Sequence, residues 1–128
     1  MKKAICLLVM IFAFISCEGQ QKKGTELLLP AQFAKEITKD KGQLIDVRTP
    51  KEYKAGHIEN AVNIHLYDKD FNERINKLNK KETVYVYCKV GGRSAEAVEL
   101  LKRNGFQHIV ELKGGTDGWV EAGKPLKQ

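Results

Sequence analysis

Long apolar runs, basic stripes and internal repeats are all absent from this sequence. The one extended uncharged apolar stretch, Ala4 to Ile15, is twelve residues long. A helix of that length covers about 18 Å, against about 30 Å of bilayer hydrocarbon, so a permanent membrane-crossing anchor is not expected. The 22 Lys and Arg residues exceed the 16 Asp and Glu residues only modestly and are scattered, with no basic stripe interleaved with aromatics. Nucleic acid is therefore not an expected partner.

The N-terminus has the layout of an export signal. Lys2 and Lys3 precede the apolar stretch, and small and polar residues follow it. Phe14-Ile15-Ser16-Cys17 resembles a bacterial lipobox, in which the cysteine is acylated and becomes the new first residue. We expect residues 1–16 to be a signal peptide and Cys17 to carry lipid, which would anchor the chain in the bacterial cell envelope, facing the periplasm. A cleaved signal without lipid is the alternative.

The remainder divides into a tether and one domain. Glu18 to Thr25 contains no apolar residue that could be buried, which predicts a flexible tether over residues 17–25. Residues 26–128 are about one hundred in number, enough for a single domain with its own core.

Strand-like and helix-like segments alternate throughout this domain. That alternation predicts an α/β fold with a parallel sheet and helices on both faces. Thr49-Pro50-Lys51-Glu52 indicates a helix start with a capping box, and Asp68 is a candidate cap for the next helix. Ligands of open parallel sheets bind beyond the carboxyl ends of the strands. Cys88, Arg48 and the segment after Leu112 are expected to meet there.

Cys88 is the strongest candidate for a reactive group. The apolar run Val84 to Tyr87 leads directly into it, and a glycine-bearing turn and a helix follow. Amides of such a turn and the positive end of the helix dipole favour a thiolate or a bound anion. The residues expected to form this anion-binding loop are Lys89, Val90, Gly91, Gly92, Arg93 and Ser94. The side chains of Lys89 and Arg93 are expected to add positive charge beside the sulfur and to attract an anionic donor. The alternative is a cysteine that merely packs at a strand end.

Cysteine usage supports the reactive interpretation. Cys6 would leave with the signal and Cys17 would carry lipid, so Cys88 has no partner for an intrachain disulfide. A free thiol in an oxidising compartment is exposed to damage. Its presence there is best explained if its chemistry is used.

Three blocks of the domain resemble the rhodanese (sulfurtransferase) family. They are Leu44 to Arg48 with Glu52-Tyr53 and Gly56 to Ala61, Val86 to Cys88 through Arg93-Ser94, and Gly114-Gly115 with Gly118-Trp119. Asn60 stands where the family commonly has glycine. The resemblance implies a five-stranded parallel sheet flanked by helices and a persulfide on Cys88. It also implies a thiosulfate-like anionic donor and a thiol, protein thiol or cyanide as acceptor.

Two other functions fit the same residues. Cysteine phosphatases also use a loop that runs from Cys to Arg, but theirs has seven residues and follows a histidine. Here Cys88 to Arg93 is six residues and Tyr87 precedes it, which favours sulfur transfer. A rhodanese-like module that carries sulfur for a partner without turnover is the other alternative.

Asp46 and Arg48 are predicted to support the site. They either orient the cysteine loop, bind substrate or form an ion pair with each other or with Glu52. His65 and His108 lack metal-ligand spacing with acidic residues or cysteine, so neither a metal nor another cofactor is predicted.

Overall fold

The computed structural model describes residues 22–40 and 42–128. The predicted signal peptide, the lipidation site Cys17 and the first part of the tether lie outside the described residues.

A five-stranded, all-parallel sheet forms the centre of the domain, with strand order β1-β5-β4-β2-β3. Its strands are β1 (Gly24–Leu28), β2 (Gln43–Asp46), β3 (Val62–Asn63), β4 (Val84–Tyr87) and β5 (His108–Leu112). The α/β prediction is confirmed. β1 begins inside the range predicted as tether, because Gly24 and Thr25 pair with His108 and Ile109. Backbone pairing at a sheet edge does not require buried side chains, so composition alone does not reveal it.

Five helices connect and cover the strands: α1 (Pro30–Lys39), α2 (Pro50–Ala55), α3 (Phe71–Ile75), α4 (Gly92–Arg103) and α5 (Gly115–Glu121). The capping box at α2 is confirmed, since the Thr49 hydroxyl accepts from the Glu52 amide and the Glu52 carboxylate accepts from the Thr49 amide. The predicted cap at Asp68 is wrong. Asp70 occupies the N-cap of α3 without a side-chain hydrogen bond, and the Asp68 carboxylate contacts His65 instead.

Each face of the sheet packs against its own helices. On one face, Ile45, Val86 and Ile109 pack with Phe71 of α3 and Leu101 of α4. The opposite face holds the two buried tyrosines of β4, together with Phe33 of α1 and Trp119 of α5. Because both faces are covered, β4 is buried along its whole length. The residue that follows β4 is therefore fixed between two packed layers.

Candidate active site

Cys88 lies where β4 ends, at the carboxyl edge of the sheet. Its side chain packs in the core cluster that contains α4, and the residue is 1% exposed. The Gly91 amide donates to Sγ over 3.0 Å. Gly91 is the N-cap of α4 and has φ 127°, a conformation that a residue with a Cβ rarely adopts. The glycine turn thus bends one amide onto the sulfur at a helix start.

The sulfur has a second polar neighbour in Ser94, which lies in the first turn of α4. Cys88 Sγ and Ser94 Oγ are 3.4 Å apart, and Ser94 is fully buried. Within the described residues, Gly91 and Ser94 supply the hydrogen-bond contacts of this sulfur. Of the turn amides expected from the sequence to stabilise the sulfur, Gly91 supplies the one that donates to it among the described residues.

The two cations predicted beside the sulfur are both paired with carboxylates. Arg93 donates to both oxygens of Glu52, over 2.7 and 2.9 Å. The ammonium group of Lys89 binds both oxygens of Asp117, over 2.8 and 3.0 Å. Each cation therefore links the cysteine loop to the first turn of another helix, Arg93 to α2 and Lys89 to α5.

The segment after β5 holds the cysteine loop through its backbone. The Thr116 amide donates to the Cys88 carbonyl over 2.9 Å, and the Asp117 amide donates to the Lys89 carbonyl over 3.1 Å. Gly115 approaches so closely that a Cβ there would lie 2.4 Å from the Lys89 carbonyl oxygen. Paired glycines at 114 and 115 were a sequence signal for this contact, which brings the segment after Leu112 to the site as predicted.

Asp46 and Arg48 pair with each other rather than with the cysteine loop. Arg48 Nη2 lies 2.6 Å from Asp46 Oδ2 and 2.7 Å from the Gly56 carbonyl, and both side chains are buried. Burial acts to lower the pKa of Arg48, but the hydrogen bonds and charge of Asp46 outweigh it and raise that pKa. The pair is a satisfied internal ion pair that fixes the loop after β2.

Sequence reasoning missed Glu111, whose carboxylate accepts a 2.7 Å hydrogen bond from the Ser94 hydroxyl. Glu111 lies in β5 beside Val86 of β4. Burial raises its pKa, while the Ser94 hydrogen bond opposes that shift. The available signal was one acidic residue inside the otherwise apolar run Ile109 to Leu112.

A cavity of about 630 Å³ lies away from Cys88, between α1 and the C-terminal segment. A smaller cleft of about 240 Å³ is lined by Val90, Gly91 and Glu111. We assign chemistry to this smaller cleft, because it is lined by Gly91, whose amide donates to the sulfur. Across residues 22–40 and 42–128, no cluster of three metal-ligating side chains occurs. The helices in the same residues are all too short or too polar to cross a membrane.

The sequence is similar to those of known proteins. The chain is 43% identical over 79 residues to the uncharacterized protein YqhL of Bacillus subtilis, covering 62% of this chain and 61% of YqhL. It is 44% identical over 75 residues to the thiosulfate sulfurtransferase PspE of Escherichia coli, covering 57% of this chain and 70% of PspE. The matched segment thus spans less than two thirds of YqhL.

A solved structure shares the fold closely. The rhodanese-related protein of Thermoplasma volcanium superposes with a TM-score of 0.70 at 33% identity, covering 80% of this chain and 97% of that one. Residues 29–122 match the family model of the rhodanese-like domain. These residues include the cysteine loop and both segments that hold it, and the chain belongs to the rhodanese-like domain family.

Proposed function

We propose that this protein is a sulfurtransferase that carries sulfur as a persulfide on Cys88. The observation that carries the proposal is the contact between Cys88 Sγ and the Gly91 amide at the start of α4. An N–H aimed at sulfur stabilises negative charge on it, whether as a thiolate or as a persulfide. The likeness to the thiosulfate sulfurtransferase PspE supports the same chemistry.

The reaction has two displacements at sulfur. The Cys88 thiolate attacks the outer sulfur of thiosulfate, a new S–S bond forms, and sulfite leaves with the electron pair of the broken bond. An acceptor such as cyanide then attacks the terminal sulfur and leaves as thiocyanate, which restores the thiolate. Neither step needs a metal, because the thiolate form of Cys88, which the Gly91 amide stabilises, is itself the nucleophile. Covalent storage predicts ping-pong kinetics.

Intact mass spectrometry of the full chain after thiosulfate treatment tests the proposal. We expect one added sulfur atom in the wild type and in Cys17→Ser, and none in Cys88→Ser. Addition of cyanide should then remove the added sulfur and form thiocyanate. Loading that survives in Cys88→Ser would overturn the assignment. Hydrolysis of p-nitrophenyl phosphate by the same preparation, dependent on Cys88, would favour the phosphatase alternative.

A sulfur carrier that serves a protein acceptor is the second candidate. Val90, in the cysteine loop, is 63% exposed. Tyr67, which follows β3 at the same edge of the sheet, is equally exposed. Apolar side chains beside a reactive group suit contact with a protein surface. Loading of Cys88 without turnover of thiols or cyanide would favour this candidate.

We also propose that Cys17 is lipidated and that the domain is held at the bacterial cell envelope, facing the periplasm. The order of Lys2-Lys3, an apolar run and Phe14-Ile15-Ser16-Cys17 supports this. Mass analysis of protein from bacterial membranes is expected to show an acylated N-terminal cysteine. Cys17→Ala should appear in the soluble fraction, and an unmodified N-terminus in the wild type would contradict lipidation.

A further inference from the structure

A chain of three polar groups runs from Cys88 to Glu111. Cys88 Sγ lies 3.4 Å from Ser94 Oγ, and Ser94 Oγ lies 2.7 Å from Glu111 Oε2. Ser94 Oγ is also 3.1 Å from the Gly91 carbonyl. Cys88 and Ser94 are both buried, so bulk water does not compete for these contacts.

The hydroxyl of Ser94 has a single proton for these neighbours. The contact with the Glu111 carboxylate is the shortest, and a charged acceptor makes the strongest hydrogen bond. While Glu111 is ionised, the proton of Ser94 therefore points toward Glu111. Only the lone pairs of Ser94 Oγ then face the sulfur, and they accept a proton from a thiol but cannot stabilise a thiolate.

Protonation of Glu111 reverses this arrangement. A neutral carboxyl can donate to Ser94 Oγ, which frees the Ser94 proton to point at Cys88. The interconversion balances as a proton relay: the S–H bond breaks as Ser94 Oγ takes that proton, and the original hydroxyl proton passes to Glu111 Oε2. No electrons are exchanged, and the products are a thiolate and a neutral carboxyl.

We infer that Glu111 is a positioning residue that sets the direction of the Ser94 hydrogen bond, so that Cys88 and Glu111 share one proton and an ionised Glu111 holds the cysteine as a thiol. The inference rests on the proposed function only in taking Cys88 as the reactive group. Burial raises the pKa of Glu111, against the effect of the Ser94 hydrogen bond, and so brings the carboxyl nearer the range in which thiols titrate.

The surroundings of Glu111 contain few other charges. It pairs with Leu27 of β1 and Val86 of β4, and the cleft above it is lined by Val90, Gly91 and Ala95 from the loop and α4. Among the described residues that line this cleft, Lys113 is the other charged one. Cys88, reached through Ser94, is the titrating group connected to Glu111 by hydrogen bonds.

The rate of Cys88 alkylation by iodoacetamide as a function of pH tests the inference, because alkylation requires a thiolate but no sulfur transfer. In Glu111→Gln, the amide can donate to Ser94 Oγ and the negative charge is gone. We expect the pH midpoint of the alkylation-rate profile to fall by about one unit and the rate of alkylation at neutral pH to rise roughly tenfold. Glu96→Gln removes an exposed carboxylate from α4 and should leave the profile unchanged.

A double-mutant cycle separates the hydrogen-bond route from a field effect. In a Ser94→Ala background, Glu111→Gln should move the midpoint by less than about a third of a unit, because the connecting hydroxyl is absent. An unchanged profile in Glu111→Gln, or an equal shift with and without Ser94, would overturn the inference. Failure of Cys88 to take up sulfur would refute the proposed function alone, since the alkylation profile would still report on Glu111.

Infrared difference spectroscopy provides a second test, which does not depend on the folding of Glu111→Gln. The C=O band of protonated Glu111 should persist to higher pH in the wild type than in Cys88→Ser. The reason is that a negative charge on the Cys88 sulfur favours the neutral form of the Glu111 carboxyl. Disappearance of the band at the same pH in both proteins would contradict a shared proton.

Discussion

The guanidinium of Arg93 faces the carboxylate of Glu52 in a two-pronged ion pair, with N···O distances of 2.7 and 2.9 Å. Arg93 comes from the first turn of α4 and Glu52 from the first turn of α2. The cation that the sequence suggested would attract the donor anion is thus already neutralised. Its structural effect is to tie the cysteine loop to the start of α2.

Glu52→Gln should lower the free energy of unfolding at neutral pH and reduce the amount by which that free energy falls in acid. The pKa of Glu52 is lowered from 4.5 to about 2, first by the Arg93 hydrogen bond and despite burial. A depressed carboxyl pKa contributes stability that is complete above about pH 4.5 and is lost as the pH falls through about 2.

The side chains of Arg93 and Glu52 are each about a quarter exposed. We therefore expect Glu52→Gln to lower the free energy of unfolding in urea at pH 7 by roughly 1–2 kcal/mol. Between pH 4.5 and 2, the free energy of unfolding of the variant should fall less steeply than that of the wild type. Glutamine can retain the capping contact with Thr49, so the change isolates the charge. Glu73→Gln, from the highly exposed pair with Lys77, is the matched control and should cost less than about 0.5 kcal/mol. Equal losses in the two variants would contradict a special role for the Arg93 pair.

Lys89→Ala should change the KM for thiosulfate less than about threefold, because the ammonium group is half-exposed and already paired with Asp117. Asp117→Asn supplies the reciprocal test, since it leaves the Lys89 charge unpaired beside the loop. If Lys89 attracts the donor, Asp117→Asn should lower the KM and Lys89→Ala should raise it severalfold. Steady-state kinetics at two salt concentrations distinguishes these outcomes.

The local features of the site could be predicted from the sequence because they depend on neighbours in the chain. Strand, turn and helix follow one another from Val84 to Ser94, and the turn chemistry of Gly91 places one amide on the sulfur. The capping box of Thr49 and Glu52 is equally local and is confirmed. Both features depend only on residues that are close together in the sequence.

Pairings between distant segments were not predictable in the same way. Glu52 and Arg93 are 41 positions apart, and Glu111 and Ser94 are 17 apart. Their meeting depends on the strand order β5-β4-β2, which places β4 between β2 and β5 and so brings the ends of these three strands together. Charge and spacing in the sequence predicted cations near Cys88. The carboxylates that pair with these cations could be identified only from the tertiary structure.

Tyr87→Phe should destabilise the domain by about 1–3 kcal/mol, because it leaves a buried donor without a partner. The Tyr87 hydroxyl accepts from the Ile58 amide over 3.0 Å, and burial raises the pKa of this fully buried phenol. Tyr85→Phe is the control, since that hydroxyl donates to Asp40, whose carboxylate is exposed and can bind water instead. Thermal unfolding should show the larger loss for Tyr87→Phe, and the reverse order would contradict the importance of the Ile58 contact.

Gly115→Ala should displace the cysteine loop and reduce both stability and sulfur transfer. A Cβ at Gly115 would lie 2.4 Å from the carbonyl carbon and oxygen of Lys89 and 2.5 Å from the Cys88 carbonyl oxygen, so backbone must move. The amides of Thr116 and Asp117 donate to those same two carbonyls, and movement of the loop weakens both bonds.

Gly123→Ala separates this clash from backbone strain. Gly123 has φ +78°, comparable to the +58° of Gly115, but nothing lies within 4 Å of its Cβ position. Strain alone costs about 1–2 kcal/mol, so Gly123→Ala should lose that much stability and keep its activity. Gly115→Ala should lose more, with at least a tenfold fall in kcat/KM for thiosulfate and a slower alkylation of Cys88 at neutral pH. Equal stability losses with full activity in both variants would show that the approach of Gly115 to the Lys89 carbonyl does not position the sulfur.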